Sequence, residues 1–408
     1  MRISSSAIYD TNVNMLNQQQ AKLLHTQQQL ASGRRMLTPA DDPFASARAL
    51  EVSQSDSANT QFVTNRNAAK HSTAMAETIL QSITSLLQDV RTATVGDGSG
   101  VLTKSDKMSL ATDLRGRFDE LVGLANSTDG LSNYLFSGYQ GKTMPFVKGS
   151  GGIQYVADDG QRMIQVDSSR QLATSDSGAD IFMRIKNGNG KFTVDGSPNN
   201  TGSGIFSQGT VTNPAQLTDH KYKIKFTVES NGGEKKASYD VVDLSTEQVL
   251  SKDNRFSSGQ VIEFDGVQLD IAGEPANGDE FYVAPSGNES IFKTLSNLIN
   301  ALQSENSLGG STAKAQFTNS VNRALNNIDR GMENVSTIRT SLGSRLRELD
   351  ALQVTGEDLN LQYKTKLSEL QDVDFSKAVS DLNQEQTSLT AAQKSFKQVS
   401  DLSLFNYL

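Results

Sequence analysis

Cysteine and tryptophan are absent from the 408 residues, and histidine occurs only at His25, His71 and His220. Without Cys there is no disulfide framework, no thiolate nucleophile and no Cys-built zinc site, and three scattered imidazoles give little from which to assemble a metal centre. The motifs HExxH, GxxxxGK[ST], GxSxG and GxGxxG are also missing, so no catalytic, metal-binding or cofactor-binding residue is expected and the chain reads as a non-enzyme without cofactor. No run approaches the roughly 18 apolar residues of a membrane-spanning helix, and the first residues lack the apolar block of a cleavable signal peptide. Membrane insertion is therefore not expected, and export would need another route. A net charge of −8 repels phosphate backbones, which argues against nucleic acid and for protein partners.

Proline is scarce as well, with 7 residues at Pro39, Pro43, Pro145, Pro198, Pro214, Pro275 and Pro285. The spans 44–144 and 286–408 are thus free of the strongest helix breaker. Glycine follows the same division, because 19 of its 32 residues lie between Gly141 and Gly287. Inside that segment Tyr222, Ile224, Phe226 and Val228 alternate, as do Val267, Leu269 and Ile271, the period of strands with one buried face. GGIQYVADDGQRMIQVD places a Gly-containing turn between two further strand-like runs.

The flanks carry seven-residue periods instead. Leu16, Leu23, Leu30 and Leu37 form the first series, and Phe62, Ala69, Ala76, Ile83 and Val90 the second. Ala111, Leu114, Phe118, Leu121 and Ala125 mark a third helix. Val321, Ile328, Val335, Leu342 and Leu349 form a long series after the insert. Phe375, Ala378, Leu382, Leu389, Ala392, Phe396 and Val399 close the chain, with Glu385 interrupting the apolar row. In LTPADDPFASA, Thr38 and Asp42 precede prolines and are pushed out of the helical region, so the first helix should end near Leu37. Asp42 fits an N-cap with Pro43 at the first helical position.

These patterns predict an α+β multidomain protein: a long α-helical coiled-coil rod built from both termini, with an inserted antiparallel β domain. The expected divisions are 1–41 with 371–408 as a terminal coiled-coil domain, 42–144 with 286–370 as a helical rod domain, and 145–285 as the β insert, polar breaks such as TGEDLN (355–360) helping to set the termini apart. A single apolar stripe cannot bury itself, so the ends must pair with each other and with further copies of the chain. The assembly seam comprises Leu16, Leu23, Leu30, Leu37, Leu382, Leu389, Phe396 and Val399.

The N-terminal MRISSSAIYDTNVNMLNQQQAKLLHTQQQLASGRRMLTPADDPFASARAL resembles the signature of the flagellin superfamily, with a Gln-rich first helix, a turn at Ser32, Gly33 and Arg34, and a P-x-D-D-P elbow. The C-terminal DFSKAVSDLNQEQTSLTAAQKSFKQVSDLSLFNYL resembles the matching end, while NYLFSGYQGKTMPF and FDGVQLDIAGEPANGDEFYVAP look more like hook-associated members than flagellin itself. The resemblance implies a structural role in the bacterial flagellum, outside the cell. It further implies export through the flagellar type III channel, a chaperone on the C-terminal helix, and a ring of copies lying between hook-associated protein 1 and the flagellin filament. A flagellin-type filament subunit is the alternative. The resemblance gives Leu16, Leu23, Leu30, Leu382, Leu389, Phe396 and Val399 a role in terminal-domain packing, and Pro39, Asp41, Asp42 and Pro43 that of a domain elbow.

Other polar groups read as structural. Gly96 to Gly100 (GDGSG) suits a helix–helix turn better than a phosphate cradle. Asp158 and Asp159 before Gly160 suit a solvated turn, since adjacent acids do not face each other across a substrate. Arg345, Arg347, Glu348 and Asp350 suggest a surface charge network.

Overall fold

The computed structural model describes residues 5–97, 103–130, 132–231, 234–304 and 310–401. Six helices lie among them: α1 (Ser5–Ser32), α2 (Pro43–Asp97), α3 (Lys104–Ala125), α4 (Ile291–Gln303), α5 (Ser311–Gln371) and α6 (Phe375–Asp401). Most of the GDGSG turn expected after α2 falls outside the described residues. Backbone packing divides the chain into two compact units, Met1–Arg66 with Ala351–Leu408 and Asn67–Asp350, to both of which α2 and α5 contribute.

In the first unit α1 and α6 run antiparallel, as the Arg34–Asp372 bridge at one end and the Tyr9–Phe396 ring pair, 5.3 Å between centroids, at the other require. Helix α1 stops at Ser32, earlier than the proline rule places it, because Gly33 takes a φ of +71°. That left-handed residue ends a helix without the steric cost a side chain would bring. By contrast α5 passes unbroken through TGEDLN (355–360). There Asn59 Nδ2 of α2 donates to Gly356 O at 2.7 Å, and a Cβ on Gly356 would meet the buried Arg66 guanidinium at 1.9 Å. The polar stretch is thus a close helix–helix contact, and no break.

The second unit has a helical core and a sheet core. Leu80, Ile83, Leu87 and Val90 of α2 pack with Leu114 and Leu121 of α3, Leu295 and Leu298 of α4, and Val321, Ile328, Val335 and Leu342 of α5. Both long heptad series are covered here because four helices are present to cover them. Thr103 starts α3 with a capping box shared with Asp106, and Ser290 caps α4 through the Lys293 N–H at 3.1 Å. Hairpins 146–149/152–155 and 163–167/170–173 follow α3. The two runs read around ADDG are strands, each paired within its own hairpin. Phe146 and Phe182 join Phe136 and Phe292 in one aromatic cluster with centroid separations of 5.3–6.0 Å, so the first hairpin closes the helical core.

Farther along, a five-stranded antiparallel sheet runs in the order 248–255, 234–243, 222–231, 280–285, 192–196. A second sheet joins 261–264, 267–272 and 205–206, with 210–211 beside 267–272. Tyr222, Ile224 and Phe226 of the first sheet and Val267, Leu269 and Ile271 of the second share one buried core, as their alternation requires.

Helix α5 also holds what lies between the helices. Beside its apolar stripe runs a polar row at the same three-and-four spacing. Asn319 accepts the Phe206 N–H at 3.1 Å and donates to Gly204 O at 3.0 Å. Arg323 pairs with Asp195, Asn327 accepts the Gly188 N–H at 3.1 Å, and Asn334 donates to Asp180 O and Ile181 O, both at 2.9 Å. Gly188 sits at a φ of +61°, where a Cβ would meet Phe192 O at 2.3 Å, so the loop fits against Asn327 only as glycine. Farther on, Arg345 grips Asp176 with two bonds of 2.8 and 2.9 Å, and Glu348 accepts Arg170 Nε at 2.6 Å. The charges expected to form one surface network therefore reach different elements: Arg345 to Asp176, Glu348 to Arg170, and Asp350 to Lys70 at 2.6 Å, while Arg347 donates within its own helix.

The Arg345–Asp176 pair is the most enclosed of these, with side chains 17% and 9% exposed. Arg345→Ala leaves the nearly buried Asp176 carboxylate without its cation, with Gln161 Nε2 as a remaining donor at 3.0 Å, and should cost about 2–3 kcal/mol, read as a lowered melting temperature. Arg347→Ala, which removes an exposed guanidinium, should change it by less than about 0.5 kcal/mol.

Candidate assembly interface

The seam that sequence periodicity marks at the two ends is only half covered. Leu16, Leu23, Leu30 and Leu37 are each half-buried, as are Leu382, Leu389 and Phe396, while the side chain of Val399 lies outside the described residues. Thr26 and Ala378 are the residues of α1 and α6 that reach full burial among those described. Two helices can close a narrow strip but not a stripe widened by Leu24 and Val379, both exposed. Tyr9, Met15, Leu50, Val354 and Leu361 add exposed apolar surface to the same unit. One carboxylate oxygen of Glu385 is buried without a hydrogen-bond donor among the described residues, an arrangement that leaves a polar group unsatisfied in the single chain.

On the α1 side of this surface charge is sparse. Asp10 and Lys22 are the only Asp, Glu, Lys or Arg residues of α1, whereas Asn and Gln fill positions 12, 14, 17–20 and 27–29. Amides cost less to desolvate than charges and can both donate and accept, so such a face suits burial against another protein surface.

The elbow between α1 and α2 is tied at many points. Asp41 Oδ2 accepts the Leu37 and Thr38 N–H groups, each at 2.8 Å, and Oδ1 lies 3.3 Å from His25 Nε2. Asp42 accepts the Ala45 N–H at 3.0 Å with Pro43 opening the helix, and its carboxylate lies 3.5 Å from Arg35. Pro39 is exposed. The second crossover, between α5 and α6, is stitched to the first by Arg35 N to Gln371 O at 2.7 Å and Val373 N to Gly33 O at 3.0 Å. Donation from the Thr38 and Leu37 backbone holds the Asp41 carboxyl below its ordinary range.

The remaining acidic pair is structural in a stronger sense than a solvated turn. Asp158 accepts the Tyr139, Gln140 and Gly160 N–H groups at 2.8–3.0 Å, which lowers its pKa, and Asp159 pairs with Arg184. His220 Nδ1 lies 2.7 Å from the buried Asp243 carboxylate, beside the hairpin base. No group of three or more His, Asp or Glu side chains gathers in metal-binding fashion among the described residues, and no helix there is long and apolar enough to cross a membrane.

Two expected outcomes follow from this geometry. Because Asp41 has a depressed folded pKa, its contribution is present above the usual carboxylate value, about pH 4, and is lost as pH falls through the folded value. Protection of the Leu37 and Thr38 amides, taken as the intrinsic exchange rate at each pH over the observed one, should therefore be high at neutral pH and fall in acid, and Asp41→Ala should lower it throughout. Leu389→Glu adds a carboxylate to a half-wet seam. It should leave the melting of the isolated chain almost unchanged yet weaken self-association by about 2 kcal/mol, roughly thirtyfold in critical concentration; equal losses in both assays would contradict a seam that is completed by other copies.

Comparison with known proteins bears on what this surface serves. The family model of the bacterial flagellin N-terminal helical region matches residues 3–141. Flagellar hook-associated protein 3 of Salmonella typhimurium is 26% identical over 407 residues, spanning 99% of each chain. Flagellin of Escherichia coli is also 26% identical, but over 230 residues that make up 56% of this chain and 42% of that one. Among solved structures, the flagellar junction protein FlgL from Legionella pneumophila superposes with a TM-score of 0.71 at 29% identity, covering 80% of this chain and 100% of that one. Over residues 3–141 the chain matches the flagellin N-terminal helical region, and two relatives that it matches from end to end are flagellar hook-associated protein 3.

Proposed function

We propose that the chain is a structural junction protein of the bacterial flagellum, in which copies form a ring that adapts the hook, through hook-associated protein 1, to the flagellin filament. The observation that carries this reading is the difference in coverage between relatives: the hook-associated protein 3 match runs through the β insert to both ends, and the flagellin match spans 56% of the chain. The half-covered α1–α6 seam supports assembly, since a neighbouring copy would cover its apolar surface and could donate to the Glu385 oxygen that has no partner among the described residues. On this reading the residues 1–41 with 371–408 form the packed inner part, 42–144 with 286–370 the rod, and 145–285 the outward domain. Pro39, Asp41, Asp42 and Pro43 set the angle between the first two. The chain reaches its site through the flagellar type III export channel with a chaperone on its C-terminal helix, and it works mechanically, without catalysis.

Deletion of the encoding gene, followed by electron microscopy of the cells and assay of the medium for flagellin, tests the proposal. Bare hooks with flagellin released into the medium are expected of a missing adaptor. Bare hooks with no flagellin anywhere would identify the chain as the filament subunit instead.

A further inference from the structure

The elbow presents aromatic side chains where a folded protein would be expected to hide them. Phe44, the second residue of α2, is 85% exposed, and Phe375, the first residue of α6, is 58% exposed. Each follows aspartates in sequence, Asp41 and Asp42 in one case and Asp372 and Asp374 in the other. These four acids outnumber the neighbouring Arg34, Arg35 and Lys377 by one, and Arg35 is already engaged with Asp42, Gln371 and Leu370. The hydrogen bonds that stitch the two crossovers fix the backbone that carries the rings before any partner arrives, so only side-chain rotamer freedom remains to be lost on docking.

In the second unit α3, α4 and the 146–155 hairpin enclose a cleft of about 370 Å³ with the opposite character. Phe118, Ile153 and Ile299 form its apolar part, and Arg115 and Lys148 stand at its rim with Asp119, two cations against one carboxylate. Neither Arg115 nor Lys148 has a carboxylate partner among the described residues, and Arg115 reaches only Gln303 Oε1 at 3.5 Å. In a chain of net charge −8, unpaired cations over an apolar floor form a receptor for an aromatic group flanked by acids.

We infer that the Phe44 elbow of one copy seats in the α3–α4–hairpin cleft of a second copy. The contact joins two different patches, so it is head-to-tail and propagates from copy to copy, as a ring requires. Charge complementarity selects this occupant: the acidic elbow meets the basic rim, and the ring meets Phe118, Ile153 and Ile299. An exposed aromatic anchor entering a preformed pocket is the usual form of an interface hot spot. The inference rests on the ring reading above.

The test uses cells in which the full-length chain is replaced by Ala47→Cys/Ser296→Cys protein. The native sequence has no Cys, Ala47 lies one turn beyond Phe44 on the same helix face, and Ser296 lines the cleft. Flagella recovered from these cells and treated with a short thiol-specific bifunctional reagent should yield a ladder of linked copies. The single-Cys chains and the dilute monomer should yield none. Phe44→Ala should leave the monomer's melting temperature unchanged and reduce the number of filaments at least about tenfold. Normal filaments containing no linked copies, or normal filament numbers with Phe44→Ala, would overturn the contact while leaving the junction reading intact. A cross-link from Ser296→Cys to a different protein, identified by mass, would overturn the choice of a second copy. Failure of the junction reading itself would appear separately, in the gene deletion.

Discussion

An apolar stripe on a helix is stable only where something covers it, and the supply of covering helices decides how each part of this chain behaves. The same seven-residue period runs through α1, α2, α5 and α6. Where α2 and α5 meet α3, α4 and the first hairpin, Ile83, Val90, Ile328, Val335 and Leu342 are fully buried. Where α1 and α6 have chiefly each other, Leu16, Leu23, Leu30, Leu382 and Leu389 remain half wet. Full burial of such a side chain contributes about 1.5–3 kcal/mol. The second unit gains that within one molecule, whereas the first retains part of it for whatever comes to lie beside it.

Helix α5 couples the two kinds of packing. Its apolar stripe closes the helical core, and the adjacent row of Asn319, Arg323, Asn327, Asn334 and Arg345 fastens the intervening chain by directional bonds to backbone and carboxylates. Hydrophobic contact alone would let a sheet slide along a helix, since dispersion and desolvation have little direction. Paired Asn amides fix one register, because a shift of one residue would leave several buried donors and acceptors unsatisfied. The β insert is thereby held on α5 at a defined place.

Period and punctuation made the large outline legible. The proline-free flanks are the helices, the Gly-rich middle holds the two sheets, and the alternation of Tyr222, Ile224 and Phe226 gives the buried face of a strand. What the sequence concealed were partners far away along the chain. Asp158, Asp159 and Arg345 look solvated locally; their roles depend on Tyr139, Arg184 and Asp176, which only the fold brings near. The polar row of α5 was hidden for a related reason: an Asn on a helix carries no local sign of whether it faces water or a loop. Helix ends were misread in the same way. Proline forbids helix after Leu37, but Gly33 had already ended α1 at Ser32, and a composition-based break at TGEDLN misses that Gly356 is there to admit Arg66.

The uncovered end of the molecule also has a consistent electrostatic logic. On the assembly reading proposed above, a surface buried against identical neighbours would meet its own charges again and again, so each unpaired charge on it would be repeated at every contact. Helix α1 avoids this with two charged residues and a run of amides that can pair with one another in either sense. The elbow and the cleft rim carry opposite signs on different patches, which on the contact inferred above would meet head-to-tail. A symmetric pairing would bring like patches together and would be penalised, so the charge pattern disfavours closed dimers and favours a propagating array. On the same reading amides would give α1 tolerance of its neighbours, and the segregated charges would give the assembly its direction.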